Sequence, residues 1–416
     1  MRRLLFLCHR IPYPPEKGEK IRAWHMIEHL ARDWEVDLGC LIDDPADLQH
    51  MAALHGPCAA VRAEQTGPRW QVAARALLQA RPGQPLTTGW FHNAKLRAWV
   101  EQGLEAGRYD AVFAYSAAMA PYLSSAAAHR PGVRRVLDMV DVDSEKWRAY
   151  VPSAKPPMKQ VWAREARTLL EFERRAAVDF DRCLFVSHQE AARFAELAPE
   201  TAPHLDWVEN GVDMSVFDAE QRYPSPYRTE APVAVFTGTM DYRPNVEAVC
   251  WFAREVLPKL RATLNPAPEF FIVGANPSPV VKALGALDGV TVTGSVPDVR
   301  PYLVHASVAV APLRIARGIQ NKVLEAMALG RPVVASSPAF EGIHATPGQD
   351  LLVGDGTART VALVSEVLAG AHPGLGERAK RAVRTGHDWG ATLSKLDSIL
   401  APGTDAPVIP GFGAAA

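Results

Sequence analysis

Residues 314–336 read RIARGIQNKVLEAMALGRPVVAS, and this segment is the most informative part of the chain. Gly318 predicts a turn, and the residues that follow place apolar side chains at the spacing of a helix. Gly330 and Pro332 end that helix, and Val333–Ala335 predicts a buried strand. A helix that leads into a buried strand in this way is typical of a parallel sheet in an α/β protein.

The start of the predicted helix is suited to a phosphorylated ligand. Backbone N–H groups of its first turn, which begins at Asn321, and the positive end of the helix dipole favour a phosphate. Lys322 and Glu325 are three residues apart and share one face, so they offer a cation to a phosphate and a carboxylate to a ribose diol. The same spacing also fits an ion pair on an ordinary surface helix. The residues alone leave both interpretations open.

Two series of strands and helices predict two doubly wound α/β domains. The first series begins with a buried strand at residues 4–8, a Pro-rich loop that ends at Gly18, and a helix. The second begins after a Pro-bearing stretch at residues 222–227, with a strand at Val233–Thr237. We predict domains at residues 1–215 and 216–385, a helix at 386–400 that packs back on the first domain, and a disordered tail at 401–416.

Short apolar runs predict the other strands, and longer periodic stretches predict two long helices. The strands are expected at residues 35–42, 111–115, 133–140, 183–186, 270–273, 290–293 and 308–310, and the helices at 159–180 and 246–260. Ligands of such sheets bind at the carboxyl ends of the strands, and two facing domains would form a cleft.

Composition excludes several classes of protein. The 416 residues carry 45 Lys and Arg against 46 Asp and Glu, so we expect no nucleic-acid partner. Five widely spaced cysteines form no C-x-x-C pair, which favours a reducing compartment and argues against structural zinc. The apolar run at residues 4–8 is too short for an export signal, and no run approaches the length of a membrane span. A cytoplasmic protein is therefore expected.

Residues 325–336 resemble the E-A-M-A-x-G-x-P-V-V-x-S/T signature of family 4 of the retaining glycosyltransferases, the group 1 enzymes. The segments at 210–213, 236–240 and 292–312 resemble further parts of that family. The resemblance implies the GT-B fold, with two Rossmann-like domains that face a cleft, and a nucleoside-diphosphate sugar as donor. Three further blocks resemble one subgroup, the sugar transferases of exosortase (PEP-CTERM) exopolysaccharide systems; they lie at residues 9–20, 116–122 and 141–147.

The resemblance assigns donor-side roles. Glu325 would bind the ribose hydroxyls, and Lys322, with Arg314 or Arg243, would neutralise the diphosphate; Lys322 and Glu325 are predicted to be catalytic. Arg317 stands where the family carries a glutamate that contacts the transferred sugar, so the chain departs from the family there. Arg317 is itself a predicted donor contact, as are Gly18, Gly238, Thr239, Val296, Gly318 and Asn321.

On the first domain, the resemblance implies that Tyr115, Asp138 and Lys146 face the acceptor and that Asp141 is the third catalytic residue. Tyr115 stands where many members carry histidine, and a core strand residue is the competing interpretation. Asp141 and Asp143 also match the metal-binding D-x-D of the GT-A fold. Metal ligation, an acceptor-side or helper-base role, and capping of the strand end stay open for this segment, although we expect no metal and no cofactor.

The sequence thus predicts a retaining glycosyltransferase that acts on a glycan or lipid-linked acceptor in cell-surface polysaccharide synthesis. Two alternatives stay open. A non-catalytic nucleotide-sugar-binding subunit is motivated by Arg317 and Tyr115, and an epimerase would share the fold. The Arg-rich helix at residues 159–180 fits either a solvated face or a peripheral contact with the inner face of the cytoplasmic membrane.

Overall fold

Short runs of Val, Leu, Ile and Phe form two parallel β-sheets, because strands that are covered by helices on both faces need apolar side chains on both. The computed structural model describes residues 2–16, 18–79, 83–217, 221–316 and 319–401. The chain divides into two units. The N-terminal unit contains the residues up to Glu209 and those from Leu393 onward, and the C-terminal unit contains Asn210–Thr392.

In the described part of the N-terminal unit, seven parallel strands lie in the order β3-β2-β1-β4-β5-β6-β7. Their bounds are β1 Arg2–Cys8, β2 Trp34–Ile42, β3 Cys58–Gln65, β4 Ala111–Tyr115, β5 Arg134–Val140, β6 Arg182–Phe185 and β7 Leu205–Trp207. The helices of this unit are α1 Gly18–Leu30, α2 Met51–Leu54, α3 Arg69–Gln79, α4 Leu86–Trp90, α5 Ala94–Glu105, α6 Asp143–Tyr150, α7 Met158–Asp179 and α8 His188–Leu197.

The described C-terminal unit has six parallel strands in the order β10-β9-β8-β11-β12-β13. They are β8 Val233–Thr237, β9 Glu269–Val273, β10 Val290–Gly294, β11 Val308–Ala311, β12 Val333–Ala335 and β13 Leu352–Val353. The helices are α9 Arg243–Trp251, α10 Leu257–Thr263, α11 Pro279–Leu284, α12 Arg300–His305, α13 Asn321–Ala328, α14 Ser337–Phe340, α15 Gly356–Leu368 and α16 Leu375–Gly386. A last helix, α17 Trp389–Ile399, begins in this unit and ends in the N-terminal one.

The predicted α/β fold class is confirmed, and one predicted helix is only partly right. In place of one helix over residues 246–260, α9 is followed by a π-helical turn at Phe252–Val256 and then by α10. Pro258 explains the break, because proline has no N–H and cannot continue the α-helical hydrogen-bond pattern. Three short or mixed strands, β3, β7 and β13, were not predicted from the apolar runs.

Strand order reverses at one place in each sheet. In the N-terminal unit the chain continues on opposite sides of β1, at β2 and β4, and in the C-terminal unit on opposite sides of β8, at β9 and β11. Helices that leave neighbouring strands in opposite directions open a crevice at the carboxyl ends, and ligands of doubly wound sheets bind there. The turns after β8 and β11 therefore frame the expected ligand position of the C-terminal sheet.

Two glycines let the ends of β8 and β9 approach closely. Gly238 follows β8 with a φ of 150°, and Gly274 follows β9 with a φ of 151°. A Cβ atom on Gly274 would overlap the carbonyl oxygen of Gly238. The turn after β8 therefore requires a glycine at position 274, which lies 36 positions after Gly238 in the chain.

No helix among the described residues is long and apolar enough to cross a membrane.

We expect Gly274→Ala to lower the free energy of unfolding by at least about 2 kcal/mol, because alanine adds both backbone strain and the overlap with Gly238. Urea unfolding measures the loss. Gly285→Ala is the matched control, since Gly285 has a φ of −63° and a Cβ there would lie 3.4 Å from its nearest neighbour. A Gly274→Ala protein as stable as the control would contradict this account of the turn.

Candidate functional site

Helix α13 presents the predicted donor-side residues beside the point where the strand order reverses. Its apolar side chains, Val323, Leu324 and Ala326–Ala328, are buried, which fixes the opposite face toward solvent. Asn321, Lys322 and Glu325 are half-buried on that face. Gln320 is the residue before the first turn of this helix, and the N–H groups of such a turn favour an anion.

The Lys322 ammonium is held above the turn after β8. Its Nζ donates a hydrogen bond of 2.6 Å to Oδ1 of Asn245 and lies 4.7 Å from the ring centre of Phe236. Asn245 in turn donates from Nδ2 to the carbonyl oxygen of Thr239, at 2.9 Å. A Cβ atom on Gly238 would lie 3.4 Å from the lysine nitrogen, so the glycine leaves room for the cation. Lys322, the turn and the first part of α9 thus form one connected structure.

Burial lowers the pKa of Lys322 to about 8, because a desolvated ammonium loses its hydration, and Glu325 opposes the shift. Burial likewise raises the pKa of Glu325 to about 7, opposed by Lys322. The two groups influence each other, yet no ion pair joins them among the described residues. The interpretation of an ordinary surface ion pair is therefore wrong: the lysine contacts a neutral amide instead.

The other donor-side candidates differ in their contacts and in their exposure to solvent. Arg243 donates from Nε to Glu247 Oε1 at 2.7 Å, so a carboxylate already accompanies its charge. Arg314 is exposed, and Val296 is half-buried against the core of the unit. Asn321 Oδ1 accepts a hydrogen bond of 3.4 Å from Asn210.

Gly18, Arg317 and Gly318 are the remaining donor-side candidates. Gly18 begins α1 and is exposed. Arg317 and Gly318 lie outside the described residues.

In the N-terminal unit, Tyr115 and Asp138 lie inside the protein. The Tyr115 hydroxyl donates to the carbonyl oxygen of Glu19 at 2.9 Å, and Asp138 accepts a hydrogen bond of 2.9 Å from Arg22 Nε. Both residues are fully buried, and Arg22 is 1% exposed. These bonds fasten α1 to β4 and β5. Tyr115 is a buried residue of a core strand, which is the competing interpretation given above. An acceptor could contact Tyr115 or Asp138 only if that side chain became exposed.

Asp141 lies where β5 gives way to α6, among other carboxyl groups. Burial raises the pKa of Asp141 to about 7, with further contributions from Glu190 and Asp143, and the exposed Lys146 opposes the shift. Its Oδ1 is buried and has no hydrogen-bond partner among the described atoms. Glu190 accepts a hydrogen bond of 3.0 Å from the N–H of Val142. Asp141 is therefore a carboxyl group that can exchange a proton near neutral pH.

A second buried acid completes the start of α6. Glu173 accepts a bond of 2.6 Å from the Ser144 hydroxyl and one of 3.2 Å from its N–H, and burial raises the pKa of Glu173 to about 8. Glu173 and Glu190 thus cap the start of α6, whereas the end of β5 is capped by Asp138, whose Oδ1 accepts a hydrogen bond of 2.9 Å from the N–H of Val140. Among the residues described, no group of three His, Cys, Asp or Glu side chains could hold a metal ion.

Sequence reasoning missed Asn245, Glu173 and Glu190. Asn245 lies 77 positions before the lysine that it binds, in the first turn of a helix, where Asn is common for local reasons. The two glutamates lie on helices whose other charged residues, apart from the buried Glu165, are half-buried or exposed. Only the polar character of Asn245 close to the predicted glycine turn was a usable signal.

Comparison with solved structures identifies the fold. Sucrose-phosphate synthase from Thermosynechococcus elongatus is similar, with 17% identity, 96% of this chain and 98% of that chain covered, and a TM-score of 0.69. HepE from Anabaena, solved in complex with UDP and glucose, has 15% identity, 96% and 99% coverage, and a TM-score of 0.66. WaaG, a glycosyltransferase involved in lipopolysaccharide biosynthesis, has 17% identity, 96% and 100% coverage, and a TM-score of 0.60. The fold is that of the GT-B glycosyltransferases, as predicted.

Residues 231–369 match the model of the family "Glycosyl transferases group 1". This range contains α13 and the turn after β8, so the domain that matches the family model lies within the C-terminal unit. The domain and the fold together support a nucleotide-sugar-dependent glycosyltransferase, as the sequence predicts. A search of curated proteins finds no match.

We expect Glu325→Gln to change how stability depends on pH. A carboxyl group whose pKa rises on folding binds more protons in the folded state between pH 4.5 and about 7, so its contribution to stability is lost as the pH rises through that window. Relative to the variant, the wild type should lose on the order of 2 kcal/mol across it. Urea unfolding at several pH values measures the difference. Glu341→Gln, at an exposed glutamate, is the control, and parallel curves for wild type and Glu325→Gln would disprove the assignment.

Proposed function

We propose that this protein is a retaining glycosyltransferase that transfers a sugar from a nucleoside-diphosphate sugar to a glycan or lipid-linked acceptor. The observation that carries the proposal is the position of Lys322 and Glu325 on α13, beside the reversal of strand order and above the turn after β8. A cation and a carboxylate on one helix face match the two polar ends of a nucleoside diphosphate, its phosphates and its ribose.

Lys322 is suited to the charge that develops during transfer. The diphosphate becomes more negative as its bond to the sugar breaks, and preorganised cations in a desolvated site stabilise that charge strongly. Asn245 orients the ammonium without cancelling its charge. A diphosphate beside Lys322 would raise the pKa of the lysine and keep it protonated, because a nearby negative charge favours the charged form.

Glu325 is suited to the ribose. An ionised carboxylate accepts hydrogen bonds only, so it can bind two neighbouring hydroxyl groups at once. The raised pKa of Glu325, about 7, makes this contact dependent on pH, because a protonated carboxyl group loses part of that capacity. Weaker donor binding below neutral pH follows from this role.

The proposed transfer needs no strong base from the protein. The bond between the anomeric carbon and the phosphate oxygen breaks, and its electron pair remains on the diphosphate. The acceptor hydroxyl oxygen bonds to the same face of the anomeric carbon, which retains its configuration, and its proton passes to the departing phosphate oxygen. Lys322, with Arg314 or Arg243, supplies the positive charge, and we propose that transfer is independent of a metal ion. Asp141 is the acceptor-side catalytic residue in this proposal: its carboxyl group, with a pKa of about 7, accepts a hydrogen bond from the acceptor hydroxyl and orients it, while the proton itself passes to the phosphate.

The donor and the cellular role rest on resemblance. The similar HepE structures were solved with UDP, with UDP-glucose, and with UDP and glucose, so uridine nucleotides are the first donors to test. The likeness of three sequence blocks to exosortase-associated transferases supports a place in exopolysaccharide synthesis. All five cysteines are free thiols, in keeping with a place in the cytoplasm.

One alternative has a specific observation in its favour. Arg317 replaces the glutamate expected to contact the transferred sugar, and Tyr115 is buried, so a nucleotide-sugar-binding subunit without turnover is the second candidate. The two candidates differ in one measurable property, which is the release of nucleoside diphosphate.

We expect Lys322→Ala to reduce turnover by about 10²-fold, the usual loss when one key electrostatic contact to a developing charge is removed. The rate of nucleoside diphosphate release is the measurement. Lys282→Ala, at an exposed lysine of α11, is the matched control and should retain the wild-type rate. Equal rates for both variants would remove Lys322 from the mechanism.

A thermal-shift screen with UDP-, GDP-, ADP- and dTDP-linked sugars should give an increase in melting temperature for one nucleotide, because a ligand that binds only the folded state stabilises it. The increase should shrink in Glu325→Ala. Stabilisation in the screen without nucleoside diphosphate release, across acceptors extracted from cells, would favour the binding subunit. No stabilisation by any donor would contradict both candidates.

A further inference from the structure

Two segments of the N-terminal unit contain no acidic residue. Residues 65–100 and 146–164 together hold ten Lys and Arg and no Asp or Glu, although the chain as a whole has 45 basic and 46 acidic residues. At the average frequency of the chain, 46 acids in 416 residues, these 55 positions would hold about six acids. Both segments therefore carry positive charge that no acidic residue within them offsets.

The fold joins the two segments. Arg164 of α7 donates from Nη2 to the carbonyl oxygen of Gln84 at 2.9 Å. The N–H groups of Leu86 and Thr87 donate to the Glu165 carboxylate at 2.8 and 2.9 Å. On the other side of α4, Arg75 of α3 donates to the carbonyl oxygen of Trp90 at 3.4 Å. Helices α3, α4 and the first half of α7 therefore form one connected region.

Large apolar side chains are exposed in the same region. We use the term α3–α7 surface for the exposed side chains of Trp70, Leu78, Trp90, Lys155, Met158, Lys159 and Val161. Leu78 is 88% exposed and Trp70 is 71% exposed, the two highest values among the exposed large hydrophobic residues described. Every residue from 155 to 161, with the sequence KPPMKQV, is exposed.

The acids nearest to these segments do not offset the charge of this surface. Glu165 is buried and bonded to α4, Glu101 pairs with Arg97 at 3.3 Å, and Glu145 pairs with Arg148 at 2.7 Å. The later part of α7 is different, because acids accompany its arginines there; Arg174, for example, pairs with Glu200. Within the described part of this unit, basic residues without neighbouring acids and exposed apolar groups therefore come together on α3 and at the beginning of α7, with the exposed Trp90 of α4 beside them.

We propose that the α3–α7 surface docks the enzyme on an anionic lipid bilayer. Tryptophan favours the boundary between headgroups and acyl chains, Leu and Met insert below it, and lysine binds the lipid phosphates. Charge complementarity selects this occupant, since a surface without acids repels basic partners and attracts an anionic sheet. The docking goes beyond the proposed transfer and adds a partner to it: the membrane that holds a lipid-linked acceptor.

Vesicle cosedimentation of the full chain tests the proposal. Vesicles of phosphatidylcholine with phosphatidylglycerol should bind the protein, vesicles of phosphatidylcholine alone should bind much less, and raising the salt from about 0.05 to about 0.5 M should release it. Lys155→Ala with Lys159→Ala should weaken binding about 25-fold, at about fivefold for each basic residue near an anionic surface. Trp70→Ser with Leu78→Ser should also weaken it, because both side chains would leave the bilayer.

The C-terminal unit offers a matched control. Val280 and Leu287 are 41% and 39% exposed, so Val280→Ser with Leu287→Ser removes exposed apolar groups elsewhere and should leave vesicle binding unchanged. The proposal is overturned if the wild-type protein does not bind anionic vesicles. It is also overturned if the control variant loses as much binding as Trp70→Ser with Leu78→Ser. A dimer in solution that this Trp70 and Leu78 variant dissociates would assign the surface to a second copy instead. Donor binding is measured separately, so failure of docking and failure of the proposed transfer are distinguishable.

Discussion

The hydrogen bond between Lys322 and Asn245 sets the chemical character of the C-terminal unit. It places an ammonium group in partly desolvated surroundings and orients it with a neutral amide, which leaves the positive charge uncompensated by a carboxylate at that contact. The surrounding residues make room for the lysine and stabilise its charge. Gly274 lets the neighbouring strand ends come together, Gly238 leaves room beside the lysine, and Phe236 faces the cation with its ring.

The N-terminal unit follows the opposite rule. One of its buried charges, the Asp138 carboxylate, has the Arg22 guanidinium as a direct partner, and this pair fastens a helix to the sheet. Removing one member of such a pair is costly because the other charge remains buried and alone. The acids at the start of α6 instead have raised pKa values, about 7 for Asp141 and about 8 for Glu173, so a proton neutralises part of their charge. At these positions, the C-terminal unit keeps a half-buried charge available for a ligand, whereas the N-terminal unit pairs or protonates its buried charges.

The sequence predicted the fold well because the signals of the fold are local. Helical spacing after Gly318, the stop at Gly330 and the apolar strand beyond it lie within one segment of 23 residues, and the structure has α13 and β12 there. The site could be predicted less completely because its contacts are not local. Asn245 and Lys322 are 77 positions apart, and Arg22 and Asp138 are 116 apart. An aspartate at a strand end therefore suggested an acceptor contact, although a distant arginine binds it inside the core.

The division of the chain between the units has a consequence for biosynthesis. The edge strand β7 receives its last covering from α17, where Lys395 lies 3.7 Å from the ring centre of Trp207 and donates to its carbonyl oxygen at 3.0 Å. Between these two residues the ribosome must translate the whole C-terminal unit. The nascent N-terminal unit therefore keeps an unfinished edge for almost half of synthesis, while domains generally fold in the order in which they emerge. The first unit to begin folding is the last to be completed.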